Sequence, residues 1–265
     1  MHPSYVYANL RCPKTQQRLI REATGLRTLD RCIFYPDRDG ILSLVYPQNL
    51  SGEDEKMNRF YEWFAPFYDL SERYLGWLLT GVDMAKGREE IVRLLGLSSG
   101  ATLLEVSPGP GVFSPYLRDA VGETGVIVSA DLSLNMLRQY RKNHDQQGAL
   151  LIQANAHHLP FEDNTFDALF HFGGINLFNE PTKALDEFVR VVRHGGIVAW
   201  GDEQMSPHFS HPLGRKVLPR LNPGFLKTPP PPPQGIRDLC CYTVYEGLGY
   251  FNVGIKDATA IIPHI

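Results

Sequence analysis

Residues 101–131 read ATLLEVSPGPGVFSPYLRDAVGETGVIVSAD, and this stretch decides the fold. An apolar run of strand length, residues 102–106, is followed by Gly109 and Gly111 and then by the start of a helical pattern. A glycine turn between a strand and a helix leaves backbone N–H groups open to a ligand. A second apolar run ends in Asp131, twenty residues after Gly111, where doubly wound folds hold the two hydroxyls of a ribose. The stretch therefore predicts a nucleoside-cofactor site.

The glycine turn differs from that of a dinucleotide site, which has a third glycine where this chain has Ser114. Residues 104–111 instead resemble the first motif of class I S-adenosylmethionine-dependent methyltransferases, whose usual form is acid-x-Gly-x-Gly-x-Gly. Residues 130–137 resemble the second motif of this family, residues 154–167 the third, and residues 187–196 the segment that leads into the fifth strand. Four motifs in the family's order make the resemblance specific.

The resemblance implies an α/β fold with a doubly wound, mostly parallel, seven-stranded sheet of the Rossmann-like methyltransferase type. It implies S-adenosylmethionine as the cofactor and S-adenosylhomocysteine as the product. In such a site Glu105 and the glycine turn hold the methionine portion and Asp131 the ribose, while Leu132, Asn155 and Ala156 flank the adenine. The predicted cofactor-binding residues are Tyr61, Tyr68, Glu105, Ser107, Pro108, Gly109, Gly111, Asp131, Leu132, Met136, Asn155, Ala156, His171 and Phe172.

Three positions depart from the family's pattern. Ser107 replaces the first glycine, Asn155 stands where an acid is common, and His194 replaces a usual proline. Ser107 restricts the turn if its backbone requires a positive φ. Asn155 keeps a side-chain oxygen that can accept a hydrogen bond from an adenine amino group. None of these changes removes a group that methyl transfer requires.

The composition describes an ordinary globular protein of 265 residues with 43% hydrophobic and 21% charged residues. No apolar run approaches the ~18 residues of a membrane helix, and the chain does not begin like a signal peptide. The net charge of −3 argues against a nucleic-acid partner, which usually meets a basic domain. Four cysteines are too few for a disulfide scaffold, so we expect a cytoplasmic protein.

Residues 1–50 are predicted to form a small β module that resembles a degenerate zinc ribbon. Each half keeps one cysteine, Cys12 and Cys32, while Thr15 and Tyr35 stand three residues after them. Because a structural zinc site needs four ligands, we predict no bound metal.

Residues 51–81 are predicted to form an aromatic helical lid, broken at Pro66. The segment 60–69 resembles the lid of ubiquinone- and menaquinone-biosynthesis methyltransferases, which implies ligand contacts from Tyr68 and Asp69. The alternative is that the aromatic stripe is simply part of the core.

The cofactor-binding domain is predicted over residues 82–265, with a proline-rich cap at 203–235. Strands that alternate with helices indicate a parallel sheet with right-handed crossovers. Residues 238–245 and 250–255 are predicted to close the sheet as a hairpin, with a helix over the first run as the alternative. Helices are predicted over 87–97, 112–121, 133–142 and 180–192, and strands over 102–106, 126–128, 150–152, 168–172 and 197–200.

The candidate catalytic residues are His171, Asn176, Glu203 and Tyr68. A base is needed only if the acceptor carries a proton, and the ordinary pKa of histidine suits that role near pH 7. The alternative for His171 is a hydrogen-bonded residue of the cavity wall.

The sequence favours methyl transfer to a small apolar or aromatic acceptor of the quinone, lipid or natural-product type. One alternative is an RNA methyltransferase that docks through residues 1–40, where arginines are concentrated. Another is a protein of this fold that binds a ligand without methylating anything. An apolar face of the lid fits a homodimer contact as well as a substrate wall.

Overall fold

A computed structural model of the chain describes residues 3–65, 77–144 and 148–258. The predicted ligand contacts of Tyr68 and Asp69 and the predicted break at Pro66 lie outside these residues. In the described part, no helix is both long and apolar enough to cross a membrane.

A single mixed sheet of eleven strands forms the centre of the molecule. Its strands are β1 (Leu19–Glu22), β2 (Gly25–Thr28), β3 (Phe34–Arg38), β4 (Ile41–Ser43), β5 (Thr102–Val106), β6 (Val126–Asp131), β7 (Leu150–Gln153), β8 (Phe166–Phe172), β9 (Val192–Glu203), β10 (Ile236–Val244) and β11 (Gly249–Lys256). They are ordered β1-β2-β3-β4-β7-β6-β5-β8-β9-β11-β10. From β4 to β9 in this spatial order, neighbouring strands are parallel. The antiparallel pair β10–β11 confirms the predicted hairpin.

The prediction of seven strands is wrong, because the N-terminal strands extend the same sheet. Strand β4 pairs in parallel with β7, with Leu42 opposite Ile152 and Ser43 opposite Gln153. Strands β3, β2 and β1 follow as an antiparallel edge. The strands β1 to β4 therefore extend the sheet of the predicted cofactor-binding domain at one edge.

Helices cover both faces of the sheet. They are α1 (Pro3–Ala8), α2 (Gly52–Phe64), α3 (Trp77–Thr80), α4 (Met84–Leu94), α5 (Ser114–Val121), α6 (Leu134–His144), α7 (Pro181–Val191) and α8 (Pro212–Leu221). The predicted start of α6 is confirmed, because the Ser133 hydroxyl accepts a hydrogen bond from the Met136 N–H at 3.2 Å.

Alternation along the strands divides the core into two layers. Leu104 on β5 and Leu169 on β8 belong to the layer that contains Phe188 of α7. Leu103 and Phe170, one residue along on the same strands, belong to the layer that packs on α4 and α5. Because successive side chains of a strand point to opposite faces, neighbouring residues at a strand end serve different layers.

The two N-terminal cysteines differ in their surroundings. Cys12 is buried, and its sulfur lies 3.1 Å from the Tyr35 hydroxyl, whereas Cys32 is exposed. Within the described ranges, no group of three or more His, Cys, Asp or Glu side chains is arranged to hold a metal ion. Cys12 and Tyr35 belong to the same hydrophobic core layer as Leu104 and Phe188.

Candidate functional site

A cavity of about 320 Å³ lies at the carboxyl ends of the central parallel strands. Its wall includes the terminal residues of four strands, namely Val106 of β5, Asp131 of β6, Phe172 of β8 and Glu203 of β9. Ligands of open α/β sheets bind at this edge, and the volume suits a small molecule.

The glycine turn after β5 adopts left-handed backbone conformations. The φ angles are +54° at Ser107, +56° at Gly109 and +87° at Gly111. Ser107 thus has the positive φ that restricts a residue other than glycine. This backbone conformation costs a residue with a side chain about 1–2 kcal/mol of conformational energy. Both Ser107 and Gly109 line the cavity.

Replacing Ser107 by glycine is expected to raise the free energy of unfolding by about 1 kcal/mol, because glycine adopts this conformation without strain. Gly109→Ala is the matched opposite change, since its φ is similar and the space around its missing Cβ is open within 4 Å. That variant is expected to lose a similar amount. Urea unfolding of both variants measures the effect, and a loss of stability in Ser107→Gly would contradict this account.

Gly111 has a packing role and does not line the cavity. A Cβ at this position would lie 2.7 Å from the Tyr140 ring and 2.6 Å from the His144 ring on α6. The absence of a side chain at Gly111 therefore allows the close approach of helix α6, and its contact with the cofactor stays a prediction.

Asp131 presents an ionisable carboxyl group to the cavity. One oxygen accepts a hydrogen bond from the Gly109 N–H at 3.0 Å, and the other accepts one from the Ser133 N–H at 2.9 Å. Burial raises the pKa of Asp131 to about 6. Since each carboxylate oxygen has two lone pairs, the group can still accept hydrogen bonds from a ligand.

Glu105 lies at the same end of β5 and is almost completely buried. Its oxygens accept hydrogen bonds from the hydroxyls of Ser114, at 3.0 Å, and Ser129, at 2.9 Å. Burial raises the pKa of Glu105 to about 7, although the two serines favour its ionised form. The two hydroxyls fix the orientation of a carboxyl group on the cavity wall.

Helix α2 covers the cavity and is attached to the domain near both ends. Near its start, Asp54 lies 3.3 Å from His157 Nδ1 and accepts a hydrogen bond from the Asn179 N–H. Near its end, Glu62 accepts hydrogen bonds from the Ser133 hydroxyl at 2.7 Å and from a backbone N–H of α6. Tyr61 lines the cavity between these attachments.

Asn155 and Ala156 line a second, smaller cavity of about 40 Å³. It shares Ser107 and Leu132 with the larger cavity, which places it beside the glycine turn. The Asn155 side-chain oxygen already accepts a hydrogen bond from the His157 N–H at 3.0 Å. A ligand that donates a hydrogen bond to this oxygen would do so in addition to the His157 N–H.

His171 does not reach the cavity. It lies on the opposite face of β8 from Phe170 and Phe172, fully buried, with Nδ1 3.0 Å from the Val106 carbonyl oxygen. Burial lowers the pKa of His171, and the ring packs against Phe178 and Phe188. His171 is thus a core residue in this arrangement, and its roles in catalysis and cofactor binding stay predictions.

Asn176 is buried and also lies outside the cavity wall. Its amide donates to the Glu203 carbonyl oxygen at 3.0 Å and accepts from the Tyr250 hydroxyl at 3.0 Å. Its catalytic role stays a prediction, whereas Glu203 faces the cavity.

Most of the remaining predicted residues meet in one place. The cavity wall contains Tyr61, Glu105, Ser107, Pro108, Gly109, Asp131, Leu132, Met136, Phe172 and Glu203. It also contains residues that the sequence did not indicate, namely Asp54, Met57, Asn58, Thr80, Met84, Arg88, Val112, Phe113, Leu177, Phe178, Leu218, Phe225, Tyr245 and Leu248. Several of them come from α2 and α4, whose helical patterns indicated only which face is apolar, and from α8, where no helix was predicted.

The described residues fit S-adenosylmethionine. The space at Gly109 is open where a Cβ would be, so backbone can approach a ligand there. Asp131 has lone pairs suited to ribose hydroxyls, which are hydrogen-bond donors. The wall also carries four carboxyl groups and one guanidinium among the described residues, an excess of acid that suits a cationic ligand: Asp54, Glu105, Asp131 and Glu203 against Arg88.

The sheet order and the cavity define a nucleoside-cofactor domain of the methyltransferase type. Residues 104–200 match the family of the methyltransferase domain. This part of the chain is thus similar to a methyltransferase domain.

Two curated relatives match part of the chain. The demethylmenaquinone methyltransferase of Bacillus licheniformis is 39% identical over 114 residues, which are 43% of this chain and 49% of that protein. The ubiquinone/menaquinone biosynthesis C-methyltransferase of Haemophilus ducreyi is 38% identical over 105 residues, which are 38% of this chain and 40% of that protein. The matched part therefore spans less than half of either relative.

Solved structures share the fold over a longer part of the chain. A putative S-adenosylmethionine-dependent methyltransferase of Methanococcus maripaludis has a TM-score of 0.56 at 18% identity, over 81% of this chain and 99% of that one. The phosphoethanolamine N-methyltransferase 2 of Haemonchus contortus has a TM-score of 0.57 at 13% identity, over 80% of this chain and 61% of that one. At these identities the similarity concerns the fold alone.

Proposed function

We propose that the protein is an S-adenosylmethionine-dependent methyltransferase whose acceptor is a small aromatic molecule of the quinol type. The observation that carries this proposal is a single cavity whose wall has a polar part and an apolar part. Asp131 and the glycine turn supply polar groups for a nucleoside cofactor. Phe113, Phe172, Leu218 and Phe225 supply an apolar surface for an acceptor.

The residues of the chain act mainly by binding and alignment. The cofactor supplies a methyl group that is already activated as a sulfonium. Asp131 orients the ribose through hydrogen bonds, and the open backbone at Gly109 allows close approach. The apolar wall and helix α2 exclude water from the reacting atoms. Alignment of two bound reactants can account for about 7–11 kcal/mol of a barrier.

The choice of a quinol-type acceptor is supported by the curated relatives, which are named for menaquinone and ubiquinone synthesis. The apolar wall is consistent with such a molecule, and a quinol carries the hydroxyl proton that a base would remove. Neither RNA methylation nor a ligand-binding role without methyl transfer is favoured by these comparisons.

The proposal is tested by calorimetric titration with S-adenosylmethionine and with S-adenosylhomocysteine, followed by incubation with the methyl donor and prenylated quinols. We expect micromolar binding of both ligands and an acceptor whose mass increases by one methylene unit. Absence of binding for both ligands would overturn the proposal. Binding with methylation of other acceptors only would overturn the quinol assignment.

A further inference from the structure

Glu203 ends strand β9 and brings a carboxyl group to the cavity wall. The Glu203 carboxyl group lies close to the turn that follows β8. A Cβ atom placed on Gly173 in this turn would be 3.8 Å from Glu203 Oε1. The backbone of Gly173 and Gly174 has φ angles of +95° at both residues. The end of β9 and the turn after β8 therefore place this carboxyl group beside a segment of cavity wall that has no side chains.

Asp202 is the direct partner of Glu203. It is almost completely buried, and its oxygens accept hydrogen bonds from the N–H groups of Gly174 at 2.9 Å, Glu203 at 2.8 Å and Asn176 at 2.6 Å. An ionised carboxylate is an acceptor only, so three donors match that form of Asp202. Asp202 precedes Glu203 directly in the chain, and its carboxylate raises the pKa of Glu203.

The surroundings of Glu203 oppose its ionisation in the free protein. Burial and the neighbouring Asp202 hold the pKa of Glu203 well above its usual range. Among the residues that the structure describes, the phenols of Tyr61, Tyr245 and Tyr250 also interact with Glu203. Arg88, from α4, is hydrogen-bonded to Tyr245. A cation that enters this cavity would favour the charged form of Glu203.

Resting on the proposed function, we propose that Glu203 is the proton acceptor of the reaction. Glu203 holds its proton in the free protein and releases it when the positively charged methyl donor binds. During transfer the acceptor gains the methyl group, the C–S bond breaks with its electron pair left on sulfur, and Glu203 binds the proton that the acceptor loses. The positive charge of the donor and the negative charge of Glu203 disappear together.

This assignment restricts the class of acceptor. A base is useful only for an acceptor that loses a proton, such as a hydroxylated aromatic ring. An acceptor without such a proton, such as a thioether or a tertiary amine, would not need Glu203.

The test compares proton release on binding of the cationic donor and of its neutral thioether product. Titration of each ligand near neutral pH, in buffers that differ in ionisation enthalpy, counts the protons that leave the protein. We expect wild-type protein to release most of one proton more with the donor than Glu203→Gln does, and the two proteins to agree with the thioether. The amide replaces a protonated carboxyl of the same shape, so we expect Glu203→Gln to fold.

Glu89→Gln is the control, because Glu89 lies on the surface of α4 in an ion pair with Arg93. It is expected to match wild type in proton release and in methyl transfer, whereas Glu203→Gln is expected to lose about 100-fold or more in kcat. Equal proton release by wild type and Glu203→Gln would overturn the inference and leave the methyltransferase proposal standing. A donor that does not bind either protein would overturn the proposed function instead.

Discussion

Replacement of Asp131 by asparagine is expected to weaken binding of S-adenosylmethionine by about 100-fold. The carboxylate can accept hydrogen bonds from both hydroxyls of a ribose, and a hydrogen bond to a charged group contributes about 1.5–3 kcal/mol. Asparagine keeps one acceptor oxygen but places an amide donor where the second acceptor stood. Calorimetric titration of the purified variant measures the loss.

Asp119→Asn provides a matched control for this change. Asp119 is exposed on helix α5, so the same chemical substitution is expected to leave binding unchanged. Thermal unfolding of both variants establishes that each is folded before titration. Equal affinity of wild type and Asp131→Asn would mean that this carboxyl does not hold the ribose.

The same carboxyl predicts how binding depends on pH. Because burial raises the pKa of Asp131 to about 6, the free protein binds a proton there as the pH falls through that value. The ligand requires the ionised form, so affinity is expected to be full above about pH 7 and to fall by up to about tenfold per pH unit below pH 6. Glu62 and Glu105 also carry carboxyl groups in this region, so the difference between wild type and Asp131→Asn isolates Asp131.

The cofactor side of the site could be predicted because its signal is local. Gly109 and Asp131 lie within one strand–turn–helix–strand unit, and the turn and the acid keep their spacing whatever surrounds them. Gly111 shows the limit of this reasoning. Its glycine is required by the rings of Tyr140 and His144 on α6, and no motif indicates which helix will approach a turn.

The acceptor side was less predictable. It depends on which residues of a strand face the cavity and on the pairing of strands that are far apart in the sequence. Whether His171 or its neighbour Phe172 faces the cavity depends on how β8 is rotated in the sheet, and a shift of one residue exchanges the two. The parallel pairing of Leu42 with Ile152 joins segments far apart in the chain, so it has no local signal. Polar residues of α2, such as Asp54, cannot be told from residues of a solvent-exposed helix face by the sequence alone. Their place in the cavity wall follows only from how α2 packs on the domain.

Loss of Arg190 is expected to lower the stability of the fold. Arg190 is 8% exposed, and its guanidinium donates to the carbonyl oxygens of Phe161 at 2.7 Å and Leu159 at 2.9 Å. It also donates to the carboxylates of Asp163 at 2.8 Å and Glu187 at 2.8 Å. One side chain thus attaches the segment after β7 to helix α7.

Arg190→Met is expected to lower the free energy of unfolding by about 2–3 kcal/mol, because the loss of the buried guanidinium leaves the carbonyl oxygens of Leu159 and Phe161 and the half-buried carboxylate of Glu187 without their donor. Arg93→Met is the control, since Arg93 forms an exposed ion pair worth at most about 1 kcal/mol. Arg190→Lys is expected to recover only part of the loss, because an ammonium cannot reproduce the fork of donors of a guanidinium. Urea unfolding of the three variants measures these differences. A similar small loss in Arg190→Met and Arg93→Met would mean that packing, and not this network, holds the segment on α7.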